Sequence, residues 1–359
     1  MHQKHNLPTA LVLSAAMGLA FSAPALAANP SWEASLTVVS QAVANGGDDS
    51  QLTSRVDINA EVPAGKIGPA EGRLFAHIRA GNGAAVGNGA FASSNAAAFD
   101  FSSPVLMQAG YQLDIPAGSE GHRIELVAGK IDPFNLFDGH GMFADESETF
   151  LNQAFVHNPL LDAGGEVEPG IHGASPGLRL AHVAPFREGH LTVSAGVFAA
   201  GGNGEQFDKV FDNAFSIAQV EYSGKALAGL EGDYRLYGWN NRNQQHRGWG
   251  LSLDQTVNTH VSVFARYGQR TTGHGSFDSA WTLGAQVNGV HWGRENDRVG
   301  LAYGRLNAVS GDSEKITEGF YAVQITDFLQ ITPSVQWIDN PSGTGANRTI
   351  YGVRVKAAI

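Results

Sequence analysis

Beyond the first thirty residues the chain switches polarity at nearly every residue, and that period of two limits what it can become. In Arg55-Val56-Asp57-Ile58-Asn59-Ala60-Glu61-Val62 every second residue is apolar and those between are polar or charged. Successive side chains of a strand point to opposite faces, so such a run has one apolar face and one wet face. Leu74, Ala76 and Ile78 likewise oppose Arg73, His77 and Arg79, and Val261, Val263, Ala265 and Tyr267 oppose Ser262 and Arg266. About sixteen such segments of roughly eight to eleven residues follow one another, the length that a tilted membrane strand needs. They begin near Trp32, Arg55, Arg73, Leu106, Arg123, Gly177, Leu191 and Phe215, and then near Glu231, Gly248, His260, Trp281, Asp297, Gly319, Leu329 and Thr349. Short links such as Thr326-Asp327 alternate with long ones rich in Gly, Asn and Ser, around residues 81–103, 201–212 and 273–279. Unequal loops of this kind belong to the two ends of an outer-membrane barrel.

A soluble β-sandwich also alternates, with its polar face in water. Two features favour the membrane. Charges sit in mid-strand on the face opposite the apolar one, as Arg235 does in Asp233-Tyr234-Arg235-Leu236-Tyr237-Gly238-Trp239. Trp32, Trp239, Tyr267, Trp281, Tyr303, Trp337 and Tyr351 lie toward segment ends, where interfacial girdles form. The expected fold is therefore all-β, a transmembrane antiparallel β-barrel of about 16 strands with an irregular, partly helical segment folded into the lumen. No later window holds the roughly 20 consecutive apolar residues of a spanning helix.

The beginning of the chain reads as an export signal. Lys4 precedes an apolar stretch at residues 7–21, and Ala25-Leu26-Ala27 supplies the small-x-small cleavage pattern. Residues 1–27 are expected to be a signal peptide and residues 28–359 the barrel. The precursor carries a formal charge of −11, and residues 1–27 hold one Lys and no acid, which leaves the mature chain at −12. An acidic balance opposes a nucleic-acid partner. The chain has no cysteine, which suits a barrel and a soluble exported protein alike.

Residues 132–176 break the rhythm, being irregular and acidic. A short helix is expected at residues 145–157, with Asp145, Glu146 and Glu148 in its first turn, where carboxylates complement the helix dipole. So long an excursion is usually functional, and here it would enter the lumen and narrow it.

The residues around it carry a resemblance. Gly129-Lys130-Ile131-Asp132-Pro133-Phe134-Asn135-Leu136-Phe137-Asp138, followed by Glu148-Thr149-Phe150-Leu151-Asn152-Gln153-Ala154-Phe155, resembles the central signature of the carbohydrate-selective porin (OprB) family. Leu329-Gln330-Ile331-Thr332-Pro333-Ser334-Val335-Gln336-Trp337-Ile338-Asp339-Asn340-Pro341 resembles that family's penultimate strand and Asn-Pro loop, and Gly352-Val353-Arg354 its final strand. The resemblance extends from about Gly110 to the end. It implies a sixteen-stranded porin passing mono- and oligosaccharides, set among lipid and lipopolysaccharide in a bacterial outer membrane, as a monomer or homotrimer. The mature chain is short for the family, and it closes on Ile359 where the resemblance implies an aromatic residue.

A sugar channel needs hydrogen-bonding side chains and stacking rings that bind weakly enough to release. Alternation places Arg79, Arg123, Glu125, Arg179, Arg235, Arg266, Arg298, Gln336 and Arg354 on the inner wall, with Tyr237, Trp239 and Phe264 on the same parity. Glu146 and Asn152 would reach the wall from the inserted segment. Seven of these residues are arginines, which suggests a basic wall facing acids such as Glu146. An enzyme would need a nucleophile, a base and an orienting group. The 13 histidines, among them His122, His140, His157, His172 and His182, fall in no such pattern and in no metal motif. No catalysis, metal or cofactor is expected.

Overall fold

The computed structural model describes residues 30–44, 49–87, 89–139, 142–161, 173–201 and 205–359. The expected signal peptide lies outside them. Sixteen strands form one closed antiparallel barrel, each paired with its neighbours in sequence and the first with the last. They are β1 (Ser31–Val43), β2 (Ser50–Ile67), β3 (Ala70–Asn82), β4 (Val105–Pro116), β5 (Arg123–Ile131), β6 (Ser175–Phe186), β7 (Gly189–Phe198) and β8 (Phe215–Lys225). The barrel continues with β9 (Glu231–Asn241), β10 (His246–Asn258), β11 (Val261–Thr272), β12 (Phe277–Gly289), β13 (Arg294–Ala308), β14 (Glu314–Thr326), β15 (Leu329–Asp339) and β16 (Arg348–Ala358). Fifteen of the expected starting residues fall within these strands, and His260 lies one residue before β11. Closure pairs Val39 with Arg354 across β1 and β16, so no edge is left to expose backbone groups to lipid.

The alternation faces the way membrane placement requires. Arg55 and Asp57 are buried inside the barrel, while Leu74, Leu180, Leu236, Leu283 and Leu301 stand exposed on its outer surface. Outward aromatics gather at both ends. Trp249 meets Tyr267 and Trp281 meets Tyr303 toward the long loops, with ring centroids 5.3 and 5.4 Å apart. Phe186 meets Tyr222 and Trp292 meets Tyr321 toward the short turns. Trp239, expected in a girdle by its place near a segment end, is instead inside and only 4% exposed. Its inward parity decides the matter.

The interior is not uniformly wet. Phe198, Phe215, Ile217, Tyr237, Trp239, Phe264, Phe277 and Phe320 project inward and pack into one apolar cluster with Phe137, Phe143, Phe150, Phe155 and Leu160. Those last five belong to the excursion between β5 and β6, so its described residues do enter the lumen, and they dock there through a hydrophobic core. Burying a phenylalanine side chain contributes roughly 1.5–3 kcal/mol, enough to offset the ordering of an irregular segment. Close approach is built into the wall. A Cβ at Gly268 would fall 2.4 Å from Asn158 Oδ1, and one at Gly196 would fall 2.8 Å from the Phe137 ring.

The helix expected at residues 145–157 is a single turn, α1 (Gln153–Val156), capped by the Asn152 side chain, which accepts from Ala154 N–H. Asp145 instead closes a separate turn, accepting from Ser147 N–H at 2.7 Å. The acids therefore do not serve a helix dipole. They face water and basic residues.

Candidate functional site

A buried loop must have its backbone polar groups satisfied, and inward-facing wall residues do this. Glu318 accepts from Leu151 N–H and Asn152 N–H, each at 2.8 Å. Gln336 accepts from the Asn152 amide at 3.0 Å and donates to Ser94 C=O at 2.8 Å. Arg354 donates to the carbonyls of Glu146 and Thr149, and Arg266 to that of Phe155. Ser94 belongs to the connection between β3 and β4, which also enters the lumen. There Phe91 N–H donates to Glu314, and Ala96 N–H to Leu151 C=O. Two inserted segments thus lie laced together, where the sequence suggested one.

Packed against β5 to β15 and tied to Arg354 on β16, they leave the opposite side of the barrel open. A cavity of about 1220 Å³ runs there between the segments and the wall formed by β1 to β4 and β16. Its lining includes Trp32, Glu33 and Ile359 at the short-turn end and Gly83, Asp100 and Gly173 at the long-loop end, so one passage reaches both mouths. Charged side chains cross it. Arg55 pairs with Asp57 at 2.6 Å and with Glu146 at 2.5 Å, reaching from β2 to the inserted segment. Arg79 and His77, both on β3, meet the other oxygen of Asp57 at 2.6 and 2.8 Å. Lys356 on β16 reaches Glu148 at 2.7 Å, and Arg298 lies 3.2 Å from the same carboxylate. Phe134 stacks on His157 with ring centroids 4.6 Å apart, and both line the passage.

Three groups on the inserted segment lie away from their ordinary ionisation. Burial raises Asp132 to about 7, against the opposing pull of the Phe134 N–H and Arg79 and with help from Glu146. Burial lowers His157 to about 4. Burial would raise Glu146, but Arg55 and Arg79 outweigh it and hold its carboxylate below the ordinary range.

Of the residues expected on the pore wall, Arg79 and Glu146 line this passage, and Arg298 sits behind Glu148. The rest are elsewhere. Tyr237, Trp239 and Phe264 are covered by the inserted phenylalanines and present no stacking face to a solute. Asn152, Arg266, Gln336 and Arg354 are spent as struts for the segment. Arg235 is buried between Glu221 and Asp254, at 2.9 Å from each. Arg179 pairs with Glu125 at 2.9 Å and lies over the Phe137 ring, and Arg123 pairs with Glu125 from the other side. The passage therefore does not present the basic wall that alternation suggests. The arginines of that wall face inward as parity requires, but Arg266 and Arg354 are taken up by carbonyls of the docked segment and the other five are paired with acids.

Arg55, Asp57, His77, Asp132 and Lys356 were not among the candidates. Asp57 and Arg79 are register partners on adjacent strands, a pairing legible only once the register is known. His122 and His182 stack on each other on the exposed outer surface. His140 and His172 lie outside the described residues. Among the described residues no group of three or more potential metal ligands comes together, and no helix is long and apolar enough to cross a membrane.

Residues 240–358 match the carbohydrate-selective porin family, OprB. Over the fold as a whole, the chain is similar to the high-pH structure of Pseudomonas putida OprB, with TM-score 0.74 and 16% identity over 92% of this chain and 94% of that one. The low-pH structure of the same protein gives TM-score 0.59 at 16% identity, covering 92% of each chain. A mutant porin of Rh. blastica gives TM-score 0.54 at 13% identity, over 92% of this chain and all of that one. No curated protein matches the chain. The family match and the closed barrel together place the chain in a bacterial outer membrane as a barrel of the porin type.

Proposed function

We propose that this chain is a passive diffusion channel for carbohydrates and other small polar solutes, exported by way of residues 1–27 and assembled among outer-membrane lipid and lipopolysaccharide as a monomer or homotrimer. The observation that carries the reading is the passage itself. It reaches both mouths and is lined by carboxylates, amides, hydroxyls and guanidinium groups that can exchange hydrogen bonds with sugar hydroxyls. The residues proposed to meet solute are Arg55, Asp57, Arg79 and Glu146 at the crossing of β2 with the inserted segment, together with Asn95 and Gln108. Phe134 supplies the apolar surface that the covered Tyr237, Trp239 and Phe264 cannot. No catalytic role is assigned to any residue.

The test is ion conductance in planar bilayers with added glucose or maltose, combined with swelling of proteoliposomes in the same sugars. Concentration-dependent block of the current together with swelling supports a sugar channel. Swelling without block supports the second reading, a general small-solute porin, which is favoured by a lining whose rings, among the described residues, are Trp32, His77 and the stacked Phe134 and His157. No conductance at all overturns both.

A further inference from the structure

Among the described residues, the passage carries more acid than base. Between the mouths, Asp57, Asp132, Asp145, Glu146 and Glu148 face Arg55, Arg79 and Lys356, and the mouths add Glu33 and Asp100. Seven acids thus meet three fixed cations, and with Asp132 left out as a buried acid that keeps its proton near pH 6, six remain, still a majority over five even with His77 and His157 both counted as cations.

The distribution of partners matters as much as the count. Each cation is already engaged by a carboxylate: Arg55 by Asp57 and Glu146, Arg79 by Asp57, Lys356 by Glu148. Several acids, by contrast, are held by uncharged donors. Asp132 accepts from Phe134 N–H at 2.9 Å, Asp145 from Ser147 N–H, Asp100 from Gly83 N–H at 3.0 Å and Glu33 from the Asn59 amide at 2.9 Å. The nearest cation to Asp145 is Lys356, 3.7 Å away. A solute carrying a hydroxyl or an ammonium finds free acceptor oxygens along the way. Among the described residues of the lining, an anion finds no Arg or Lys that is not already paired with a carboxylate. At physiological salt the Debye length is about 8 Å, so the excess charge is felt across a narrow water-filled passage.

We infer that the passage selects by charge, admitting neutral polyols and protonated amino sugars and holding back anionic sugars such as uronates, aldonates and sugar phosphates. This rests on the channel reading above and specifies its solute class. It also reverses the sign that a basic wall would have given.

The experiment measures reversal potential in a potassium chloride gradient and proteoliposome swelling in glucose, glucosamine hydrochloride and sodium gluconate at about pH 6, where the amine is charged. The expected result is a cation-to-anion permeability ratio of about three or more at about 0.1 M salt, shrinking as salt rises, with glucosamine entering faster than gluconate. The double variant Asp145→Asn, Glu148→Gln removes two acids and frees Lys356, and the ratio should fall to about one or below. Asp100→Asn, at the mouth and outside the packed core, should lower the ratio in the same direction by a smaller step. Glucose swelling with anion preference, or with gluconate entering as fast as glucosamine, overturns the charge inference and leaves the channel reading intact. Loss of glucose swelling and conductance in the unaltered protein overturns both.

Discussion

Asp132 stands where the chain leaves β5 and turns into the lumen, with its N–H bonded to Gln108 Oε1 at 3.2 Å and its carboxylate facing Arg79 and Glu146. Because burial raises it to about 7, the native state prefers its neutral form. The sign of the linkage follows: below the unfolded value of about 4 the group costs nothing, and between about 4 and about 7 its ionisation becomes a growing penalty on the docked segment. His157 acts oppositely, since a native value of about 4 means that stability is lost as pH falls from about 6.5 toward 4. The passage should therefore gain one negative charge as pH rises from about 6 to about 8, and its cation preference should step upward there. Asp132→Asn should abolish the step, as reversal potentials at graded pH will report. Glu318 offers a second residue-scale test. Its carboxyl group forks onto two backbone donors of the segment, and hydrogen bonds contribute about 0.5–1.5 kcal/mol each. Glu318→Ala should loosen the segment, seen as faster protease cleavage within residues 142–161 and noisier single-channel current while the barrel persists.

At the scale of elements, the two inserted segments behave as a second core placed inside the first. Phe143 and Phe150 both pack on Phe264, with ring centroids 4.9 and 5.8 Å away. Truncating a buried phenylalanine to alanine costs about 3–5 kcal/mol. Phe143→Ala with Phe150→Ala should consequently undock the segment and raise unitary conductance. The strand ladders make no use of these rings, so circular dichroism and heat-modifiable migration should stay those of an assembled barrel. Deleting residues 139–173 should raise conductance further, and an unchanged value would remove the segment from the constriction.

For the whole molecule, closure and the outward apolar band set where the protein can reside. Leu236 lies on the outer face of β9 and is 52% exposed in the absence of lipid. An arginine near the bilayer midplane of a barrel costs about 2–4 kcal/mol, so Leu236→Arg should lower the urea midpoint of unfolding from phospholipid vesicles by a corresponding amount. The inward Ser252, at the register position across from Arg235, takes no part in that band. Its conservative replacement by Ala should leave membrane insertion unchanged and act on the packing of Asp138 and Tyr237, whose carboxylate and hydroxyl it meets.

What the sequence by itself determined is the parity of each residue, and with it the barrel. Side chains in a strand alternate strictly, so Val56 and Asp57 cannot both face lipid, and sixteen such strands in a row have few ways to satisfy their backbone. The excursion at residues 132–176 was visible for the same reason, as the place where alternation stops. Which inward residues meet solute was decided by tertiary structure alone. Parity treats Arg79, Arg235 and Arg354 alike. The first lines the open passage, the second is sealed between two acids, and the third is a strut beneath a docked loop. That difference depends on the side of the lumen against which the segments pack, a choice made by long-range contacts such as Phe150 with Phe320 and Asn152 with Gln336. Those partners lie far apart along the chain, so no local pattern of period two could record them.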